Sequence, residues 1–180
     1  MAKFYSELTN ELINFIQAQH MFFTASAPTK GRVNLSPKGI DTFRCFSPNA
    51  VGYLDLTGSG NETAAHLHDN GRITIMFCSF SDKPLILRLY GQGRMIHSRD
   101  PDWDEFYAQF KPVVGDRQIM HMTVESVQTS CGYGVPQFEF QQQRDTLINW
   151  AKKRGKDGLD AYREKKNLQS IDGLPTFLKE

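Results

Sequence analysis

The chain has 180 residues, 39% of them hydrophobic and 23% charged, enough to bury an ordinary core in one domain with a helical extension, and this composition excludes a disordered protein. Lys and Arg total 21 against 20 Asp and Glu, a formal charge of +1 that lacks the basic excess needed to hold nucleic acid or an anionic membrane by bulk electrostatics. No apolar run approaches about 18 residues, and Lys3, Glu7 and Glu11 interrupt the first turns, so neither a membrane span nor a signal peptide is expected, and a cytoplasmic protein is.

Leu8, Leu12, Phe15 and Ile16 recur at helical spacing, with Ser6 as N-cap, and predict an amphipathic helix over residues 6–18. MFFTASA, GRVNLSPKG, TFRCFS and AVGYLDL follow as short apolar or alternating segments separated by Pro, Gly, Asn and Asp turns, the pattern of an antiparallel meander. GSGNETAAHLHDNGR reads as a short helix stopped at Asn70 and Gly71, and RITIMFCSF as a buried strand. In LILRLYGQGRMIH, Leu85, Leu87 and Leu89 share one face while Arg88, Tyr90, Gln92 and Arg94 share the other. PDWDEFYAQF predicts a helix with Pro101 in its first turn, and GDRQIMHMTVESVQTS a strand that CGYGVP breaks. Residues 141–167 are helical and charged, a solvated face interrupted by Gly155 and Gly158, and QSIDGLPTFLKE is an arm that docks on its own barrel or on a partner. Many short strands with few helices predict a mainly β fold, a barrel with helices at its rim.

The three cysteines, Cys45, Cys78 and Cys131, form no CxxC pair and are expected as buried free thiols. His66 and His68 are two apart on a helix and point to different faces, and no metal site is expected. No GxSxG and no carboxylate pair at a recognisable spacing supports hydrolysis, so no general acid or base is assigned, and chemistry supplied by a cofactor is easier to accommodate.

The segment LDLTGSGNETAAHL has two readings. Ser59 and Glu62 match an S-x-x-E capping box, and the same glycine-bracketed turn before a helix offers backbone N–H groups and a positive dipole end to an anion. It lacks the lysine of a P-loop, and Glu62 would repel a phosphate placed beside it. Lys38, after Ser36 and Pro37 at a strand end, is a better cation for such a site. Arg88, within a strand among leucines, needs an acceptor, either Asp55, Glu62 or a ligand.

In this order VNLSPKG, YLDLTGSGNETAAHL, GRITIMFCSF and PLILRLYGQGRMI, over residues 20–131, resemble the pyridoxamine 5′-phosphate oxidase-like, FMN-binding split-barrel family, and the set SPKG, GSG-ET-AHL, MFCSF, LRLYG and CGYGVP resembles a bacterial branch of it. The resemblance implies a six-stranded split barrel and a homodimer with FMN in each of two interfacial clefts; with the N-terminal helix the barrel domain is expected over residues 1–140, and the helical pattern beyond it is read as an extension and tail over 141–180. It matches Lys38 to the lysine ending the family's second barrel-strand motif, Arg88 to the arginine of VRIEG, here LRLYG, and Tyr53, Leu54 and Asp55 to the strand end beside the flavin.

Ser36, Lys38 and Thr63 are expected on the phosphate, with Gly58, Ser59, Gly60 and Asn61 adding polar and backbone contacts and Arg88 approaching the flavin; Gln92 and Tyr90 are further candidates. Asn61, Glu62 and Thr63 stand where the family carries Ser-Arg-Lys or Asn-Arg-Arg, so two cations are lost. The Arg-x-His motif of pyridoxamine phosphate oxidases is also absent, which argues against vitamin B6 oxidation. The expectation is an FMN-dependent oxidoreductase acting on another substrate. The alternatives are a non-enzymatic module that binds haem through His66 or His121 or serves as a dimeric scaffold, and a deazaflavin-dependent reductase.

Overall fold

The computed structural model describes residues 2–179. Eight strands form one antiparallel sheet: β1 (Lys3–Tyr5), β2 (Phe22–Ser26), β3 (Asn34–Lys38), β4 (Phe43–Ser47), β5 (Ala50–Leu56), β6 (Arg72–Cys78), β7 (Ile86–Ile96) and β8 (Asp116–Ser130). Four helices accompany them, α1 (Asn10–Gln17), α2 (Glu62–Asn70), α3 (Trp103–Tyr107) and α4 (Thr146–Lys166). The strand order is β3-β2-β6-β7-β8-β5-β4, with β1 paired to β8. Seven of these strands coincide with the segments expected from the sequence, and β1 is the addition. β1 is three residues long, too short to show an alternating pattern in sequence.

β3 and β4 are not neighbours as a simple meander would have them, but lie at opposite ends of the sheet. The turn 39–42 nevertheless joins them, so the sheet must curl until its two ends approach. The curled sheet is an open, split barrel. Its interior is aromatic where the ends meet: Phe22 of β2, Phe43 of β4, Tyr53 of β5 and Phe77 of β6 have ring centroids 4.9 to 5.6 Å apart. Leu87 and Leu89 of β7 fill the interior as their alternation predicts. A second cluster, Leu54, Ile96, Phe110 and Ile119, packs outside the barrel with α3 residues Trp103, Phe106 and Tyr107.

Leu12 and Ile16 of α1 are buried against the barrel. Its cap is Thr9, not Ser6: the Thr9 hydroxyl accepts from the Leu12 amide at 3.3 Å, and Leu8 enters the core ahead of the helix. Helix α2 stops at Gly71, whose φ of 74° is open to glycine at little cost.

α4 is not simply a solvated face, because Ala151 and Leu159 are buried. Of its two glycines only Gly155 breaks the helix, with φ 67° and ψ 178°, and Gly158 continues it. The tail docks on the chain's own barrel: Thr176 is buried and donates to the Asn167 carbonyl at 2.6 Å. Arg99 holds the Phe177 and Leu178 carbonyls. Cys78 is buried, Cys45 partly so, and Cys131 is exposed, contrary to the expectation that all three are buried. Among the described residues no helix is long and apolar enough to cross a membrane.

Candidate functional site

A polar cleft of about 470 Å³ opens where the ends of β3 and β5 meet the turn before α2. Residues 51, 53 and 55 of β5 share a face, which brings Asp55 into the barrel mouth beside the end of β3. There the Asp55 carboxylate is 3.0 Å from Lys38 Nζ and 2.8 Å from Arg117 Nε, and it accepts a further hydrogen bond from Gln118 Nε2 at 2.8 Å. Burial alone would push the Asp55 carboxyl up, but Arg117 and Lys38, with the hydrogen bonds from Arg117 and Gln118, hold it well below the usual carboxylate range. Burial likewise opposes the charge on Lys38, yet Asp55 keeps its pKa raised. The cluster is therefore ionised at neutral pH, with one net positive charge. Lys38 Nζ also lies 4.7 Å from the centroid of the buried Tyr53 ring.

The turn itself is held from behind. Arg117 Nη1 donates to the Gly60 carbonyl at 3.0 Å, Asn167 Nδ2 to the Gly58 carbonyl at 3.0 Å, and Gln118 Nε2 to Asn61 Oδ1 at 2.7 Å. Asn61 Nδ2 donates in turn to the Asn167 carbonyl at 3.2 Å. Ser36 Oγ donates to Asn34 Oδ1, and Asn34 Nδ2 to Thr63 Oγ1, both at 3.2 Å.

The capping box does not form. α2 begins at Glu62 with Asn61 as its N-cap, and no side chain caps its first turn. The Glu62 carboxylate instead accepts from the Ile171 amide, at 3.1 and 3.0 Å from its two oxygens. Two consequences follow from that exchange. The first-turn N–H groups of α2, which have no partner inside a helix, keep their positive dipole end at the cleft. Glu62 still lines the cleft, but its charge is partly engaged by the tail.

A barrel mouth with a cation cluster facing an uncapped helix invites comparison with known proteins. Residues 8–131 match the family model described as pyridoxamine 5′-phosphate oxidase. The chain belongs to the pyridoxamine 5′-phosphate oxidase family. A family protein of Aspergillus flavus, ustO, is 37% identical over 97% of this chain and 78% of its own length, so the likeness extends to a fungal protein. Among solved structures, HupZ of Group A Streptococcus has a TM-score of 0.55 at 22% identity, over 67% of this chain and 91% of that one. An FAD-binding protein of Mycobacterium smegmatis has a TM-score of 0.50 at 11% identity, over 69% and 96%. Both share the fold.

Against this family frame the expected site residues separate. Ser36, Lys38, Leu54, Asp55, Gly58, Ser59, Gly60, Asn61, Glu62 and Thr63 all line the one cleft. Tyr53 lies beneath it in the barrel core. Arg88 and Gln92 lie elsewhere on β7: Arg88 Nη1 donates to Ser130 Oγ at 3.3 Å, so neither Asp55 nor Glu62 is its acceptor, and Gln92 is exposed opposite Arg72. Tyr90 donates to Gln128 Oε1 at 2.8 Å, away from the cleft. His66 is buried in α2 with Nδ1 3.0 Å from Ser26 Oγ, and His121 stacks on Phe46.

Arg117, Gln118 and Asn34 are members of the site that sequence reasoning missed. Arg117 opens a β-branched strand and resembles any strand-end cation. Its role depends on the register that sets Gln118 opposite Asp55.

Proposed function

We propose that this cleft binds the phosphate of FMN and that the protein is a flavin-dependent oxidoreductase acting as a homodimer on a substrate other than pyridoxamine phosphate. The observation that carries the reading is the uncapped first turn of α2 facing the Lys38–Asp55–Arg117 cluster. A helix N-terminus with free N–H groups and a neighbouring net cation suits a phosphate. The donor set fits the group even though two family cations are replaced: Thr63 contributes a hydroxyl, Lys38 and Arg117 the charge, and Asp55 fixes both cations at the cleft.

A bound flavin supplies hydride or electron transfer at its ring. This chain's residues bind and orient. Arg117 and Asn167 hold the carbonyls of Gly60 and Gly58, so the turn presents its N–H groups without having to order on binding. Glu62, drawn toward the Ile171 amide, repels the phosphate less than a free carboxylate would. Membership of the family and the FAD-binding fold relative support a flavin. The missing Arg-x-His motif supports a different substrate.

Absorbance of the purified protein tests the reading. Flavin bands that persist through gel filtration support it, and a colourless protein that takes up no added FMN would overturn it.

A further inference from the structure

The family match ends at residue 131, and the segment beyond it builds one wall of a second cavity. This cavity, about 800 Å³, adjoins the polar cleft and shares Pro37, Lys38, Gly58 and Ser59 with it. Its C-terminal wall is apolar and aromatic, from Phe140, Trp150 and Tyr162 together with Leu147, which lines both. Trp150 and Tyr162 are separated by a stretch that would span about 18 Å on a straight helix. The break at Gly155 folds the two halves of α4 together, and the ring centroids come to 5.0 Å at 79°.

Arg154 lies over both rings, its guanidinium carbon 4.7 Å from each centroid. A guanidinium held over aromatic rings is fixed by their π faces and still has N–H groups to offer a planar, bidentate acceptor. The cavity is also one-signed: Lys38, Arg144 and Arg154 line it and no carboxylate does. Lys38 is paired with Asp55, which it shares with Arg117, whereas among the described residues no acid pairs with Arg144 or Arg154. A concave, largely apolar cavity with a few convergent polar groups is the general form of a small-molecule site. An inorganic anion would leave the aromatic walls unused, and a neutral hydrocarbon would leave the guanidinium without an acceptor.

We propose that the C-terminal segment forms a binding site for a planar aromatic carboxylic acid, its carboxylate on Arg154 and its ring against Trp150 and Leu147. That such an acid is the substrate rests on the flavin reading; that it binds does not.

The probe is 2-naphthoate, titrated calorimetrically into the full chain without and with saturating FMN, with 2-naphthalenemethanol as the neutral control. One naphthoate binds per chain, at least tenfold tighter than the alcohol. Arg154→Gln brings naphthoate to the alcohol's affinity and leaves the alcohol unchanged. Arg154→Lys, which keeps charge but not the planar fork, falls between, and unchanged circular dichroism verifies that both variants fold. Saturating FMN shifts naphthoate affinity less than threefold. No naphthoate binding, equal affinity in Arg154→Gln, or competitive displacement by FMN overturns the proposal, the last making this cavity the seat of the flavin ring itself. Arg154-dependent naphthoate binding in a protein that takes up no FMN leaves this site standing and removes the flavin reading.

Discussion

Replacing Gly155 with Ala tests how the C-terminal segment is built. At φ 67° and ψ 178° the backbone occupies a region essentially confined to glycine, and forcing a side chain there costs on the order of 1–3 kcal/mol. Space is not the obstacle, since a Cβ at Gly155 meets nothing within 4 Å. Alanine also narrows the unfolded ensemble, returning roughly 0.4–1 kcal/mol, so a net loss of about 0.5–2 kcal/mol is expected if the bend persists. For a chain of this size each kcal/mol lowers Tm by about 2–4 °C. If the variant relieves the strain by straightening α4 instead, Trp150 and Tyr162 separate from 5.0 Å toward roughly 18 Å and the aromatic wall is lost. Thermal unfolding combined with Trp fluorescence reads both outcomes, Trp103 being the only other tryptophan. A Gly155→Ala protein with unchanged Tm and unchanged emission would refute the argument from backbone strain.

Three further outcomes follow from the cleft. Asp55→Asn strands two cations in a largely buried cluster and should lower stability at pH 7 by about 3–5 kcal/mol, measured by urea unfolding. Because the folded Asp55 carboxyl is depressed, its stabilisation is present above the unfolded pKa of about 3.9 and is lost as pH falls through the folded value. The wild type should thus lose more stability between pH 5 and pH 2 than Asp55→Asn does, and parallel curves would contradict the assignment. Glu62→Gln removes a charge from the cleft and weakens the bond to the Ile171 amide, so FMN should bind several-fold tighter while stability drops by about 1 kcal/mol; weaker FMN binding would show that Glu62 does not oppose the phosphate. Thr176→Val removes the hydroxyl donor to the Asn167 carbonyl, and hydrogen exchange at the tail should rise; unchanged protection would separate the tail from the turn at Gly58.

Periodicity made most of the fold legible. Alternation in LILRLYG places Leu87 and Leu89 in the barrel, and the Asn70-Gly71 stop ends α2 where expected. Pairing was less legible, because β3 and β4 are joined by a short turn yet sit at opposite sheet ends, a consequence of curling that no local pattern carries. The capping box failed for a tertiary reason: Ile171, far along the chain, supplies the amide that Glu62 takes. The strand arginine Arg88 drew attention among leucines, whereas Arg117 does the work of pairing with Asp55, because only register decides which cation reaches the mouth. Gly155 and Gly158 look alike in sequence, yet only Gly155 leaves helical geometry, and Arg154 beside it lies over both Trp150 and Tyr162.

The phosphate grip is the central claim, and paired titrations of the apoprotein with FMN and riboflavin test it most directly, since the two ligands differ only in the phosphate. FMN should bind at least about 100-fold tighter, as two charge-assisted hydrogen bonds predict. Lys38→Ala should close much of that gap while the exposed Lys30→Ala leaves it intact, and Lys38→Ala should fold because Arg117 and Gln118 still hold Asp55. Equal affinity for FMN and riboflavin, or a gap unchanged in Lys38→Ala, would contradict the account.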